Sequence, residues 1–253
     1  MTQIHTMEVN VRTPDDGGTV PRGRTQAQRR EHTRQALLDA ALGQMDAGES
    51  FDAVSLRSVA RAAGVVPSAF YRHFASMDEL GLALVEQSFR TLRAMLREAR
   101  EREPSLEPVI RRSVQILVSH VREHRQHFAF VARARCTANS VLRAAIRHEI
   151  ALFTTELGTD LARFPILREW STEDLQMLAG LLVNTMIATA EAILELPPAG
   201  LREPGATPGI RAAGRAARPE AEAQLARVAE KQLRLTMLAV PHWRSGRAGD
   251  ADR

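Results

Sequence analysis

The stretch "SLRSVARAAGVVPSAFYRHFASMDEL", residues 55–80, constrains the fold more than any other part of the chain. Ser55 is a favourable N-cap, and the apolar residues that follow it recur at helical spacing. Gly64 ends this helix, and Pro67 suits the first turn of a second helix, where its missing N–H needs no partner. Ala60 and Gly64 are small enough for the two helices to cross closely. The spacing therefore predicts a helix-turn-helix.

Longer helical patterns flank this motif. Apolar residues recur at helical spacing over residues 26–48, and Ser76 with Glu79 forms a capping-box signature for a helix that runs to about residue 102. Aromatic residues make up only 4% of the chain, while alanine, leucine and arginine are abundant, and this composition favours helices over strands. Further helices are predicted at 107–123, 125–135, 139–163, 172–196 and 219–240. The predicted fold class is all-α.

Changes in composition divide the chain into five parts. Residues 1–24 are polar and rich in turn-forming residues, which predicts a disordered arm with a basic end. Residues 25–75 contain the helix predicted at 26–48 and the two helices of the helix-turn-helix, and we call this segment the head. Residues 76–241 form a helical segment that we call the body. Within the body, Pro and Gly are frequent over 197–218 without apolar periodicity, which predicts a flexible loop. Residues 242–253 are predicted to be a polar tail.

Positive charge is concentrated at the start of the head. The formal net charge of the chain is +4, and the short segment 21–35 alone has five arginines against one glutamate, so the remainder is balanced. These residues are Arg22, Arg24, Arg29, Arg30, Arg34 and Glu31. Such a cluster is typical of an arm that binds a polyanion, although a solvated tail has the same composition.

The second helix of a helix-turn-helix lies in the major groove of DNA with its N-terminal residues nearest the bases. In this chain those residues are small and uncharged, which permits close approach to base edges and thymine methyl groups. Tyr71 and His73 are expected to donate hydrogen bonds to phosphates, whereas Phe70 and Phe74 are expected to face the core. The predicted DNA contacts are Arg22, Arg24, Arg29, Ser55, Arg57, Val66, Pro67, Ser68, Ala69, Tyr71, Arg72 and His73.

This region resembles the DNA-binding region of the TetR family of bacterial repressors. The family pattern is met by Ala60, Ala63-Gly64-Val65, Phe70-Tyr71, His73-Phe74 and Leu80. Many relatives have a lysine after the His-Phe pair, where this chain has Ala75, Ser76 and Met77, so arm arginines are expected to compensate. The resemblance implies a TetR-like fold, with a helix-turn-helix head and a body for effector binding and dimerisation. It also implies a homodimer that binds a palindromic operator in double-stranded DNA, with helices 172–196 and 219–240 at the interface.

A narrower resemblance concerns the body. Residues 28–196, including "FAFVARARC" and "RAAIRHEIALFTTEL", are similar to the FabR-type repressors of unsaturated fatty acid synthesis. This similarity implies a long-chain acyl-CoA effector, which needs an apolar tunnel and arginines near its mouth. For each apolar residue on its own, ordinary core packing is the favoured interpretation. The candidates are Phe89, Leu92, Phe128, Val131, Arg133, Arg135, Met177, Leu181, Asn184 and Met186, and Glu191 is a further polar residue in helix 172–196.

Other classes of function have weaker signals. No nucleophile elbow, phosphate-binding loop or metalloprotease motif is present, so we predict no catalytic residues, no cofactor and no enzymatic activity. His120, His124 and His127 have a spacing that could bind zinc, but a surface turn is the favoured interpretation, and no metal is predicted. Cys136 lies near Arg133 and Arg135, which is compatible with a redox sensor, although an inert thiol is favoured.

The cellular location is predicted from the absence of targeting and membrane-spanning segments. The first twenty residues lack the apolar segment of a signal peptide, and no uninterrupted apolar run reaches about 18 residues, so a cytoplasmic protein without a membrane partner is expected. Two alternatives to the acyl-CoA hypothesis stay open. One is a TetR-like regulator of a different ligand, and the other is a non-specific architectural DNA-binding protein.

Overall fold

A computed structural model describes residues 25–46, 48–100, 106–196 and 208–246. Within these residues the chain forms nine α-helices and three single 3-10 turns, without strands. The helices are α1 Gln26–Asp46, α2 Leu56–Ala62, α3 Pro67–Phe70, α4 Met77–Arg100, α5 Leu106–Glu123, α6 Arg125–Ala134, α7 Ser140–Leu161, α8 Thr172–Glu195 and α9 Pro208–Leu238. The 3-10 turns are Phe51–Ala53, Pro165–Leu167 and Val240–His242.

The predicted bounds of the long helices agree with the structure to within two residues as far as α8. The last helix differs, because α9 begins at Pro208, eleven residues before the predicted start at 219. The sequence prediction gave weight to proline and glycine over 197–218, but the alanines and arginines of 208–218 are strong helix formers. The loop prediction is therefore wrong for 208–218, and its remainder, 197–207, lies outside the described residues.

Local signals explain the geometry of the head. The Ser58 N–H donates to Ser55 Oγ at 3.1 Å, which caps α2 as expected. Gly64 has a φ of 70°, a left-handed conformation that favours glycine at the turn between α2 and α3. A Cβ atom at Gly64 would meet no atom within 4 Å, so its positive φ, and not the close helix crossing that we predicted, accounts for this glycine.

The head and the body share one hydrophobic core. Phe70 and Phe74 are buried, as predicted, and their ring centroids are 5.6 Å apart. The same cluster includes Leu84 of α4, Phe130 of α6 and Leu142 of α7. Because these body residues pack in the head cluster, the predicted domain boundary at residue 75 does not separate two cores.

Helix α8 is long and apolar enough, by length and composition alone, to cross a membrane. Polar residues interrupt its apolar stretches, so a criterion of uninterrupted apolar runs does not identify it. In the structure α8 packs against α6, α7 and α9, and it contributes Leu178, Val183 and Ile193 to the core. One third of its most apolar window is buried within the chain, so much of its apolar surface is left on the outside.

A buried carboxylate fixes α9 against α5. Glu222 is buried and pairs with Arg122 Nη2 at 2.5 Å and with Arg218 Nε at 2.8 Å. Burial raises the pKa of Glu222, but hydrogen bonds and positive charge from the two arginines outweigh it, so the net pKa lies below its ordinary value. Arg218 also donates to the Leu196 carbonyl at 3.1 Å. This network holds the end of α8 against the middle of α9.

The segment after α9 is anchored at its beginning. Val240 is buried in the cluster that includes Leu175 and Leu178. Ser245 Oγ donates to Asp174 Oδ2 at 2.5 Å and accepts from the Ser171 N–H at 2.7 Å. Hydrogen bonds from the Ser245 and Ser171 side chains lower the pKa of Asp174. The predicted tail 242–253 is therefore anchored over 243–246, and residues 247–253 lie outside the described residues.

Candidate functional site

Helix α3 presents small residues to solvent at its N-terminus. Val66, the N-cap, is 64% exposed, and Pro67 occupies the first helical turn. Pro67 and Ser68 are exposed, whereas Ala69 is half-buried. Phe70 at the end of the helix is fully buried and fixes α3 on the head core. The N-terminus of α3 is therefore free of bulky or acidic groups that would prevent close approach to a duplex.

The residues that follow α3 place hydrogen-bond donors beside the exposed N-terminus of α3. Tyr71 is 64% exposed, Arg72 is exposed and His73 is half-buried. Burial lowers the pKa of His73, and the positive charges of Arg30 and Arg34 lower it further, which favours the neutral imidazole. Its Nδ1 is buried without a hydrogen-bond partner among the described residues, so a bond to phosphate requires the proton on Nε2.

Two arginines of α1 support the same region, and the sequence analysis included them only in its charge count. Arg30 Nη2 donates to the Arg72 carbonyl at 3.4 Å. The Arg34 guanidinium lies 5.2 Å from the centroid of the Phe74 ring, a cation–π contact. The signal that could have identified them is their i, i+4 spacing, which puts both on one face of α1.

The other predicted DNA contacts are in separate positions. Arg29 and Arg57 are exposed on α1 and α2, whereas Arg22 and Arg24 lie outside the described residues. Ser55 is exposed, but its side chain accepts from Ser58 and its backbone N–H donates to Ser58 Oγ at 3.2 Å. Ser55 therefore has a structural function as a helix cap, independent of any DNA contact.

A cavity of about 570 Å³ lies in the body, and its wall is largely apolar. Phe89 lines this cavity and also belongs to the core that the head shares with the body, so one hydrophobic cluster connects the cavity with the head. Six predicted effector residues are on its wall: Phe89, Leu92, Phe128, Val131, Arg135 and Met186. That they bind an effector stays a prediction.

Four predicted effector residues are not on the cavity wall. Met177, Leu181 and Asn184 are spaced i, i+4 and i+7 on the exposed face of α8, and Arg133 is exposed on α6. The prediction treated α8 as apolar on all sides and could not determine which face points inward. The inward face has Val183, Met186, Ile187, Ala190 and Leu194, most of which the sequence analysis missed. The correct signal was their i, i+3, i+4, i+7 spacing.

Helix α7 also contributes to the wall, which the sequence analysis did not anticipate. Ile150, Phe153 and Leu157 line the cavity at i, i+3 and i+7. All three residues lie within the segment "RAAIRHEIALFTTEL", and their apolar spacing is the signal that could have identified them. The cavity is thus bordered by α4, α5, α6, α7, α8 and α9.

Few polar groups reach the cavity. Arg135 Nη1 and Glu191 Oε1 form an ion pair of 2.9 Å between α6 and α8, and each side chain is about one third exposed. Asp160 and Arg163 form a second pair of 3.4 Å near the end of α7. A partly exposed ion pair contributes little to stability, so exchanging the partner of Arg135 for another anion would cost little.

The three histidines do not form a metal site. Helix α5 ends at Glu123 and His124 is the N-cap of α6, so His120, His124 and His127 do not share one continuous helix. His127 Nδ1 shares a hydrogen bond of 3.0 Å with Ser88 Oγ, and burial lowers the pKa of His127. Among the described residues, no group of three or more potential ligands could hold a metal ion. Cys136 is exposed.

Comparison with known proteins supports the assignment of the head. Residues 37–84 match the sequence profile of a family described as "Bacterial regulatory proteins, tetR family". The match spans α2 and α3 together with the adjoining parts of α1 and α4. The matched segment therefore contains the surface formed by the N-terminus of α3 and residues 71–73.

Solved structures share the fold of most of the chain. A TetR-family transcriptional regulator from Streptomyces coelicolor is 21% identical, with a TM-score of 0.57, and the alignment covers 83% of this chain and 97% of that one. A transcriptional regulator from Rhodococcus sp. is 18% identical, with a TM-score of 0.55 and coverage of 83% and 96%. The fatty acid degradation regulator FadR from Bacillus halodurans is 16% identical, with a TM-score of 0.52 and coverage of 77% and 94%. The predicted all-helical, TetR-like fold class is confirmed.

Proposed function

We propose that this TetR-type DNA-binding transcriptional regulator is a repressor that binds a palindromic operator as a homodimer and is controlled by a long-chain acyl-CoA. The observation that supports the proposal most directly is the apolar cavity of about 570 Å³, whose wall includes a residue of the core beneath the DNA-binding head. Regulators of this type are non-enzymatic transcription factors, which confirms the prediction that the chain is not an enzyme. Because such regulators bind DNA, the proposed function agrees with the predicted cytoplasmic location.

The surface of the head supports sequence-specific recognition. The exposed Val66, Pro67 and Ser68 permit close approach to base edges, where small side chains contact thymine methyl groups or donate single hydrogen bonds. Two such heads in a twofold-symmetric dimer would contact half-sites about 34–36 Å apart, or a multiple of that distance. Exposed apolar residues on α8 and α9, including Leu181 and Leu235, are available for that dimer interface.

The cavity supports an effector with an aliphatic chain. Its volume is within the range of about 300–1,000 Å³ that is usual for small-molecule sites. Its wall is made mainly of aliphatic side chains and phenylalanines, with Arg135 as a cation at the side. The resemblance to FabR-type repressors and the fold shared with a regulator of fatty acid degradation agree with an acyl chain.

Acyl thioesters are expected to stabilise the protein against heat. A ligand at a concentration 100-fold above its Kd adds about 2.7 kcal/mol to the free energy of unfolding, which raises Tm by roughly 5–10 °C for a chain of this size. Replacing Met186 on the cavity wall by tryptophan should abolish the rise in Tm, because the larger side chain occupies the cavity. Leu152→Trp, on the exposed side of α7, is the matched control and should keep it.

The same thermal-shift measurement separates the proposal from its nearest alternative. If drugs or signalling molecules shift Tm while acyl thioesters do not, the chain is a regulator of a different ligand. The second alternative, non-specific architectural binding, is tested with a duplex selected from a random pool. An excess of random DNA at moderate salt should leave the complex with the selected duplex intact, whereas a non-specific protein would lose it.

Tyr71→Phe is expected to weaken binding to all duplexes alike by about tenfold, because it removes one hydroxyl that can donate to a phosphate. Ser68→Ala, at the N-terminal end of α3, should instead change which sequence is preferred. Fluorescence anisotropy with several duplexes over a range of salt concentrations measures both effects. Unchanged affinity of Tyr71→Phe at every salt concentration would show that Tyr71 does not contact phosphate.

A further inference from the structure

The ion pair between Arg135 and Glu191 connects the cavity wall to a loop that reaches the head. Arg135 is the C-cap of α6, and its guanidinium crosses to Glu191 on α8 at 2.9 Å. Both residues line the cavity. The main chain continues directly from Arg135 into the loop 136–139 between α6 and α7. Because Arg135 directly precedes this loop, a change in the partner of its side chain can displace the start of the loop.

The loop is held firmly on the side of the body. Arg143 of α7 donates to the Thr137 carbonyl at 2.6 Å and to the Ala138 carbonyl at 2.8 Å. Asn139 caps α7, since its side chain accepts from the N–H groups of Val141 and Leu142. Residues 137–139 are thus connected to the first turn of α7 by several hydrogen bonds, and they are expected to move with it as a unit.

The same three residues contact the head and the first turn of α4, and we call these contacts the loop latch. The Thr137 hydroxyl and the Ala138 N–H, the latter at 3.0 Å, both donate to Asp52 Oδ2 in the 3-10 turn between α1 and α2. Asn139 Nδ2 donates to Asp78 Oδ1 at 2.6 Å, in the first turn of α4. The loop latch therefore touches the head before the helix-turn-helix, through Asp52, and the start of α4 directly after it, through Asp78.

We propose that an anionic group of the effector replaces Glu191 as the partner of Arg135, and that the loop latch transmits this exchange to the DNA-binding head. The inference rests on the proposed function, because it requires an effector in the cavity. A carboxylate or phosphate oxygen offers the guanidinium the same charge-assisted hydrogen bonds that Glu191 offers. Since the existing pair is partly exposed to water, its exchange for another anion costs little.

The exchange gives the effector a physical means of favouring one arrangement of the head. Without effector, the ion pair ties the end of α6 to α8. When an effector anion takes the guanidinium, that direct tie is lost, and the end of α6 with the loop latch is free to shift relative to α8. An effector changes DNA affinity only through such a difference between states. The exchange at Arg135 would act in this way whether the effector raises or lowers the affinity for DNA.

The first experiment tests the exchange with three probes that share a C16 chain: hexadecanoyl-CoA, hexadecanoate and hexadecanol. Calorimetry with the full-length homodimer should show that the anionic probes bind more tightly than the alcohol. Arg135→Gln should reduce this preference by about tenfold, and Glu191→Gln should tighten anion binding because the competing carboxylate is gone. The two anionic probes distinguish a fatty acid carboxylate from the phosphates of coenzyme A.

The outcomes separate this inference from the proposed function. If no probe binds the wild-type protein, the proposed effector class is wrong, and the exchange falls with it. If all three probes bind with the same affinity in the wild type and in Arg135→Gln, the effector class stands and only the exchange is overturned. Hexadecanoate binding without hexadecanoyl-CoA binding supports the exchange and identifies the carboxylate as the anion.

The second experiment tests the loop latch through coupling, which a purely structural contact would not alter. Thr137→Val and Asp52→Ala are expected to keep the effector affinity of the free protein and the DNA affinity without effector, each within about threefold. The change in affinity for the selected duplex on adding effector should fall by about tenfold. Thr159→Val is the matched control, because the Thr159 hydroxyl donates to the Thr155 carbonyl within α7.

Two results would overturn the function of the loop latch. One is a full effector response in both variants, which would mean that the coupling runs elsewhere. The other is loss of DNA binding in both variants without effector, which would mean that Asp52 and Thr137 serve only to keep the head folded. Retained coupling in Thr159→Val and reduced coupling in the two latch variants would support the inference.

Discussion

Leu181→Glu is expected to separate the proposed homodimer into monomers and to reduce affinity for the proposed operator at least about 100-fold. Leu181 is 52% exposed on α8 within the chain, beside Met177 on the same face, and Leu235 and Leu238 of α9 are about two thirds exposed. Losing the burial of two symmetry-related leucines costs about 3–6 kcal/mol, before the cost of burying two carboxylates. Since each monomer would contact only one half-site, the gain from binding both half-sites together is lost.

Sedimentation velocity and fluorescence anisotropy with the selected duplex measure the two effects. Leu235→Glu in α9 should behave in the same way, because the proposed interface contains both helices. Leu152→Glu is the matched control: Leu152 is also an exposed leucine, but it lies on α7, and its variant should stay dimeric. A dimeric Leu181→Glu protein with unchanged operator affinity would show that this face of α8 is not the interface.

Phe70→Ala is expected to lower the free energy of unfolding by about 3–5 kcal/mol and to abolish operator binding. The Phe70 side chain is fully buried between its neighbours in the head, with ring centroids 5.8 Å from Tyr71 and 5.6 Å from Phe74. Its removal leaves a cavity beneath α3, a helix of a single turn that cannot hold its position without this anchor. The loss of affinity follows from the misplaced recognition residues.

Urea unfolding followed by circular dichroism gives the change in stability. Phe70→Leu keeps part of the apolar volume and should cost less than the alanine variant. Val66→Ala, at the exposed N-cap of the same helix, should change the stability by no more than about 0.5 kcal/mol. Equal destabilisation by Phe70→Ala and Val66→Ala would contradict the assignment of Phe70 as the residue that anchors α3.

Sequence reasoning predicted the candidate DNA surface more completely than the cavity. Short-range rules describe the head: Ser55 caps α2, Gly64 adopts a positive φ, and Pro67 starts α3. These features depend on residues within one or two turns of each other, so the order of residues is sufficient to recognise them. The functions of Arg30 and Arg34 were missed because their partners, Arg72 and Phe74, lie about forty residues away in the chain.

The cavity illustrates the opposite case. Helix α8 is apolar over most of its surface, and its sequence alone does not show that Met186 faces inward and Leu181 outward. The rotation of a helix about its axis is decided by what packs against it, here α7 on one side and α9 on another. The partner of Arg135 was likewise undetermined, because Glu191 is on a different helix.

The order of amino acids alone determined that this chain is helical, where most of its helices begin and end, and which segment forms a helix-turn-helix. Those properties follow from backbone propensity, capping and apolar periodicity, which act over a few residues. Only the tertiary structure decided which faces of α7 and α8 enclose a cavity, that Glu191 pairs with Arg135, and that Asp52 and Asp78 meet the loop 137–139. These contacts join residues far apart in the chain, and they form only when the helices are packed at a particular angle and rotation.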